Sequence, residues 1–212
     1  SDMGRALYQG ARYAEARDVL DELTRLQPDN VVGFQLLGTV HQAMGQTDLA
    51  LATYEKANAI APAAQVLSNI GTIYFQRGDY RQARDAYRKA IELRPRSAPT
   101  HRNLGDTLVR LGDPDGARAA FKTAADLVEA ELAVNPTNAL NLASSAVYHQ
   151  KAGESGPATR RLNEALRMAP ADVQVWYRAA VVHTQAGRVD DALVALARAL
   201  ELGYSRAQAA AD

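Results

Sequence analysis

The sequence predicts an all-α fold, a stack of about six helix–turn–helix hairpins. Three observations carry this expectation. A phrase returns after about 33 or 34 residues, a period that marks an array of helical hairpins. It runs Phe34-x-x-Leu37-Gly38-x-x-His41, Gly45, Ala50, Tyr54, Ala57, Pro62, and recurs as Leu67-x-x-Ile70-Gly71-x-x-Tyr74, Gly78, Ala83, Tyr87, Ala90, Pro95. Within each unit, apolar residues fall at i, i+3, i+4 and i+7, which gives one buried stripe per helix. Glycines and prolines stand where the helices should stop.

With glycine at the eighth position and alanine at the twentieth, six units fall into register. The first, over about 1–30, is truncated and keeps Gly4, Ala16, Leu20, Leu23 and Pro28. Units two and three, at 31–63 and 64–97, are those quoted above. Unit four, 98–138, carries Leu104-Gly105, Gly112, Ala117, Phe121 and Ala124. Unit five, 139–172, has Ser145-Ala146, His149, Gly153, Ala158, Leu162, Ala165 and Pro170. Unit six, 173–204, has Trp176, Ala179-Ala180, His183, Gly187, Ala192, Leu196 and Ala199. Gly45, Gly78, Gly112 and Gly187 read as helix stops, because glycine accepts the left-handed conformation after a last turn. Asp113-Pro114 supplies an N-cap and a proline suited to the first helical position. The small residues Gly38, Gly71, Gly105, Ala146 and Ala180 mark where two helices must approach closely, and a bulky side chain there should overpack.

This pattern resembles the tetratricopeptide repeat family over nearly the whole chain. Units two and three match its motif almost fully, and units one, four, five and six match in part. The resemblance implies one right-handed α-solenoid spanning 1–212, with first helices lining a concave groove. It also places the groove-facing side chains at positions two, five, six, nine, twelve and thirteen of each unit. The candidate peptide-contacting residues drawn from them are Gln35, Thr39, Gln42, Asn69, Thr72, Gln76, Arg102, Asn103, Asp106 and Arg110. Amide side chains offer both a donor and an acceptor to an extended backbone. Arg102 and Arg110 are suited to a carboxylate. One subtype of the family clamps acidic chaperone tails with Lys and Asn at fixed positions. Here Gln35 and Thr39 replace the first pair and Pro99 and Asn103 the last, so that specificity is not expected.

Two irregularities stand out. The proline that should close unit four near Glu129 arrives at Pro136, seven residues late. Seven residues are nearly two helical turns, so the stripe continues through Val128 and Leu132, and 114–134 reads as one helix extended by ~10 Å. The extension either packs on the following unit or leaves an apolar ledge for a partner. At the other end, Ser205 is placed to cap a helix over Arg206–Ala211, read as a solvating end helix or as a cut through a longer protein. Ser1-Asp2-Met3 reads as a cloning remnant.

Composition narrows the function. Lys+Arg and Asp+Glu are both 24, so no net charge draws the chain to nucleic acid or an anionic membrane. There is no cysteine, hence no disulfide, thiolate metal site or thiol nucleophile. No apolar run reaches a membrane span and no signal peptide opens the chain, which favours a cytoplasmic setting. His41, His149 and His183 share the eleventh position, where the family packs a Tyr-like residue, and lie a repeat apart. Metal ligation is not expected. No phosphate loop, dinucleotide fingerprint or triad is visible, so neither catalysis nor a cofactor is expected. The expectation is a non-enzymatic scaffold holding a protein or peptide segment in its groove. The alternative is a regulatory or assembly module of a larger bacterial signalling protein, a kinase, cyclase or transcription regulator. Open terminal hairpins leave room for a weak end-to-end homodimer.

Overall fold

The computed structural model describes residues 2–205, and the helix expected over Arg206–Ala211 lies outside them. Among the described residues there are twelve helices and no strand. The chain divides into two compact units, Ser1–Pro95 and Arg96–Asp212, each a stack of three helical hairpins.

The first unit pairs α1 (Asp2–Gln9) with α2 (Tyr13–Leu26), α3 (Val31–Ala43) with α4 (Thr47–Ile60), and α5 (Ala64–Arg77) with α6 (Tyr80–Leu93). Successive hairpins stack through α2 on α3 and α4 on α5. Leu7, Ala16, Leu20, Leu37 and Val40 form one apolar cluster. Ala50, Leu51, Tyr54, Ala57, Val66, Ile70, Ile73 and Ala86 form the next. The turns at Gly45 and Gly78 have φ of +72° and +85°, where a side chain is disfavoured. In the first hairpin Ala11 fills that place at φ +55°.

The second unit pairs α7 (Ala98–Arg110) with α8 (Pro114–Val134), α9 (Ala139–Lys151) with α10 (Ser155–Met168), and α11 (Val173–Gln185) with α12 (Val189–Glu201). Asp113 caps α8 by accepting the Gly116 amide at 2.9 Å, with Pro114 at the first helical position. Asn138 and Asp172 cap α9 and α11 in the same way. The long α8 is continuous to Val134. Its Ala124, Val128 and Leu132 are buried with Leu142, Ala143, Ala165 and Val175. The extra turns therefore pack on the following hairpin, and at their tip Val134 is exposed. Glu129, in the same extension, accepts the Ser145 hydroxyl at 2.5 Å and the Arg161 Nε–H at 2.9 Å. These bonds tie α8 to α9 and α10.

Within each hairpin the two helices meet at the eighth position of the first and the twenty-fourth of the second. A Cβ added to Gly38 would lie 2.6 Å from the Tyr54 ring, one on Gly71 2.7 Å from Tyr87, and one on Gly105 2.6 Å from Phe121. Where alanine replaces the glycine, at Ala146 and Ala180, leucine replaces the ring, at Leu162 and Leu196. The two sites trade volume, as a close-packed interior requires.

Gly71→Ala should therefore destabilise the chain by ~1–3 kcal/mol through overpacking. Adding Tyr87→Leu should recover part of that loss, a non-additivity that a double-mutant cycle of urea melts reads directly. Strictly additive losses would show that the two positions do not share one space.

Candidate functional site

The eleventh-position histidines are structural. His41 Nδ1 is 2.8 Å from Gln46 Oε1, and His149 Nδ1 is 2.6 Å from Glu154 Oε2. In both cases the partner stands five residues on, at the start of the second helix. In the sixth hairpin Arg188 occupies that place, and His183 Nδ1 is buried without a hydrogen bond. Burial pushes the His183 pKa below the ordinary value, and Arg188 adds to this against the pull of Asp191. Among the described residues, no three His, Cys, Asp or Glu side chains gather as metal ligands.

Two clefts lie on first-helix faces, one in each unit. The cleft of the first unit, about 180 Å³, is lined by Arg5, Val32, Gln35, Leu36, Thr39, Tyr54, Gln65, Val66 and Asn69. The Tyr54 hydroxyl is at its centre. Asn69 Nδ2 donates to that oxygen at 3.1 Å, Thr39 Oγ1 lies 3.1 Å from it, and the hydroxyl reaches Gln42 Oε1 at 3.2 Å. Burial raises the Tyr54 pKa, and the bonds to Thr39 and Asn69 only partly offset this. Three of the sequence candidates are thus bonded to one phenol, and Asn69 joins the third hairpin to the second. Thr72 repeats the arrangement, with its hydroxyl 3.1 Å from that of Tyr87 and 3.0 Å from the Ser68 carbonyl.

The cleft of the second unit, about 280 Å³, has different chemistry. Arg102 of α7, Ser144, Val147, Tyr148 and Lys151 of α9, and Gln174, Tyr177, Arg178 and Val181 of α11 line it. Lys151 Nζ donates to Asp106 at 2.5 Å and sits 5.1 Å from the centre of the Phe121 ring. Arg102 shares the same carboxylate, at 3.5 Å. Arg178 is bonded only to the carbonyl and amide oxygens of Gln174, at 3.3 and 3.2 Å. Among the described residues no carboxylate pairs with it. Burial raises the Tyr148 pKa; Arg102 and Arg178 pull it down, and Asp106 and Glu131 push it up.

The structure brings together Gln35, Thr39, Asn69 and, through Tyr54, Gln42. It joins Arg102 directly to Asp106, whose carboxylate also takes Lys151. Gln42, Thr72, Gln76, Asn103, Asp106 and Arg110 line neither cleft, and Arg102 lines one together with Lys151 and Arg178. Ser144, Val147, Lys151, Gln174, Tyr177, Arg178 and Val181 were not among the sequence candidates. Each stands at a groove-facing position of unit five or six, so the same positional rule carried to the end of the chain would have found them. Tyr148 falls outside that rule.

Profiles described as tetratricopeptide repeat match residues 33–63, 102–158 and 140–211, and one described as TPR repeat matches 71–112. The chain belongs to the tetratricopeptide repeat family. The human protein O-mannosyl-transferase TMTC3 is 22% identical over 206 residues, covering 89% of this chain and 22% of that protein. The chain thus spans about a fifth or less of the curated relatives it matches. PilW, a type IV pilus biogenesis factor, superposes with a TM-score of 0.68 at 17% identity, covering all of this chain and 96% of that one. YrrB, described as having an unusual peptide-binding site, gives 0.54 at 19% identity, covering 91% and 96%. Such identities show the repeat fold. Among the described residues, no helix is long and apolar enough to cross a membrane.

Two measurements follow from the polar contacts. Arg188→Gln offers His183 the acceptor that Gln46 gives His41, and should stabilise the chain by about 1 kcal/mol at pH 7. An unchanged or lower melting temperature would refute this. The second concerns acid. Burial alone would raise the Glu129 pKa, but bonds from Arg161 and Ser145 outweigh it and hold the carboxylate below its ordinary value. The bond to His149 lowers Glu154 likewise. All three depressed groups are stabilising above their unfolded pKa values and lose that contribution on acidification. Stability should fall first below about pH 6.5, as His183 is forced to charge, and again below about pH 4.3, as the carboxylates protonate. Glu129→Gln should flatten the lower step in a series of melts from pH 7 to 3.

Proposed function

We propose that this repeat protein is a non-enzymatic scaffold, and that the cleft of its second unit seats an extended, acidic segment of a partner protein. The observation that carries this is Arg178, a half-buried guanidinium with no carboxylate partner among the described residues, in one cleft with Arg102 and Lys151. Asp106 is bonded to Lys151 and Arg102, and among the described residues no carboxylate is bonded to Arg178. Removing a guanidinium from water without an anion is costly, and a carboxylate ligand relieves that cost. Tyr148 and Tyr177 supply flat, amphipathic walls of the kind interfaces favour. The amide-lined cleft of the first unit suits main-chain contacts, with Gln35 and Gln65 offering both donors and acceptors.

A second reading is that the chain is a regulatory or assembly module of a longer protein. The small share of the curated relatives that it spans favours this, and sequencing the gene on both sides of these residues tests it.

For the leading reading, a fluorescein-labelled extended peptide rich in Asp and Glu should bind better than its Lys-substituted counterpart. Its affinity should fall with added salt. Arg178→Glu should weaken binding roughly tenfold, the equivalent of about 1.4 kcal/mol, with little change in melting temperature. Equal binding of both peptides, or indifference to Arg178→Glu, would remove the cleft from consideration.

A further inference from the structure

The second helices α2, α4, α6, α8 and α10 each meet a proline two residues after they end, at Pro28, Pro62, Pro95, Pro136 and Pro170. Helix α12 runs into a glycine instead. Gly203 turns at φ +102°, and the Tyr204 N–H donates back to the Ala199 carbonyl at 2.9 Å. A left-handed glycine followed by such a bond closes the helix and reverses the chain. Tyr204 is thereby returned to the unit, where it is 4% exposed. Its ring stacks on Tyr177 of α11, with centres 4.6 Å apart and planes 20° apart. Tyr177 lines the cationic cleft together with Val147 and Val181. A ring held by a stacking partner has its rotamer set before any ligand arrives.

Val147 and Val181 both stand at the ninth position of their hairpins. In the first unit Thr39 and Thr72 hold that position, each bonded to a tyrosine hydroxyl. In the last two hairpins leucine replaces the ring, no hydroxyl needs a partner, and the ninth position is apolar. The cleft therefore presents two chemistries side by side. One is the guanidinium pair of Arg102 and Arg178; the other is a half-buried wall of Val147, Tyr177 and Val181. We infer that this wall takes a large apolar side chain, best an aromatic one, next to an acidic residue of the bound segment, and that Tyr204 positions Tyr177 for it from outside the cleft. The inference rests on the acidic-segment reading above, and it names the side chain that would tell one acidic segment from another. A volume of about 280 Å³ suits one such side chain rather than a drug-sized ligand. Apolar burial also supplies affinity that partly exposed charge pairs give sparingly.

Two fluorescein-labelled acidic peptides test this, identical except for one residue between the acids, phenylalanine in one and alanine in the other. The phenylalanine peptide should bind about fivefold tighter. Tyr177→Ala should bring that preference below about twofold, and so should Tyr204→Leu, which fills space without a ring face. Tyr204→Phe keeps the stack and should retain the preference. Circular dichroism spectra like that of the parent show that the variants are folded. Arg178→Glu should weaken both peptides and leave their ratio standing. Equal binding of the two peptides, with Arg178→Glu still weakening both, would overturn this inference and leave the charge reading intact. A preference indifferent to Tyr177→Ala or to Tyr204→Leu would overturn it as well. Indifference to Arg178→Glu alone would sink the charge reading and leave the apolar wall supported. Binding of neither peptide would sink both.

Discussion

Each of the three hairpins from α3 to α8 rests on one close contact, where the first helix must carry almost no side chain so that the second can press a large one against it. Gly38 under Tyr54, Gly71 under Tyr87 and Gly105 under Phe121 leave no room for a single carbon. In the last two hairpins the partners shift together to alanine and leucine. Volume is conserved across the contact while each side chain changes, which explains how a degenerate repeat keeps one architecture. The stacking faces depend on this approach, because it sets the distance between the two helices.

Pressing an aromatic ring into that contact has a polar consequence. A tyrosine brings a hydroxyl with it, and a buried hydroxyl needs partners. Thr39, Gln42 and Asn69 supply them to Tyr54, and Thr72 supplies one to Tyr87. These residues therefore serve the first unit's own stability, and Thr39 and Asn69 also line its cleft. In the fourth hairpin phenylalanine removes that requirement. There Asp106, at the position of Thr39 and Thr72, is free to gather Lys151 and Arg102. One change of ring chemistry thus separates an amide-lined cleft from a cationic one.

Much of the site was legible in residue spacing, within definite limits. Gln35, Thr39, Asn69 and Arg102, chosen by the positional rule, line the two clefts, and the rule carried two hairpins further reaches Ser144 and Arg178. It could not show that Asn69 is bonded across to Tyr54, since that contact depends on how one hairpin leans on the next. Nor could it show that Arg178, far along the chain, lines the same cleft as Arg102 while Arg110 does not. Long side chains at permitted positions reach different neighbours, and only packing selects among them.

The boundaries of the hairpins, their turns and the extended α8 were settled by the sequence alone, because they follow from local preferences. Glycine accepts a left-handed turn, proline stops a helix within two residues, and a helical stripe continues for as long as its spacing holds. Tertiary structure alone decided which face of α8's extension is buried, which polar groups are already partnered, and which cations share the Asp106 carboxylate. Those outcomes depend on contacts between residues distant in the chain, whose distances and competing partners no local pattern encodes.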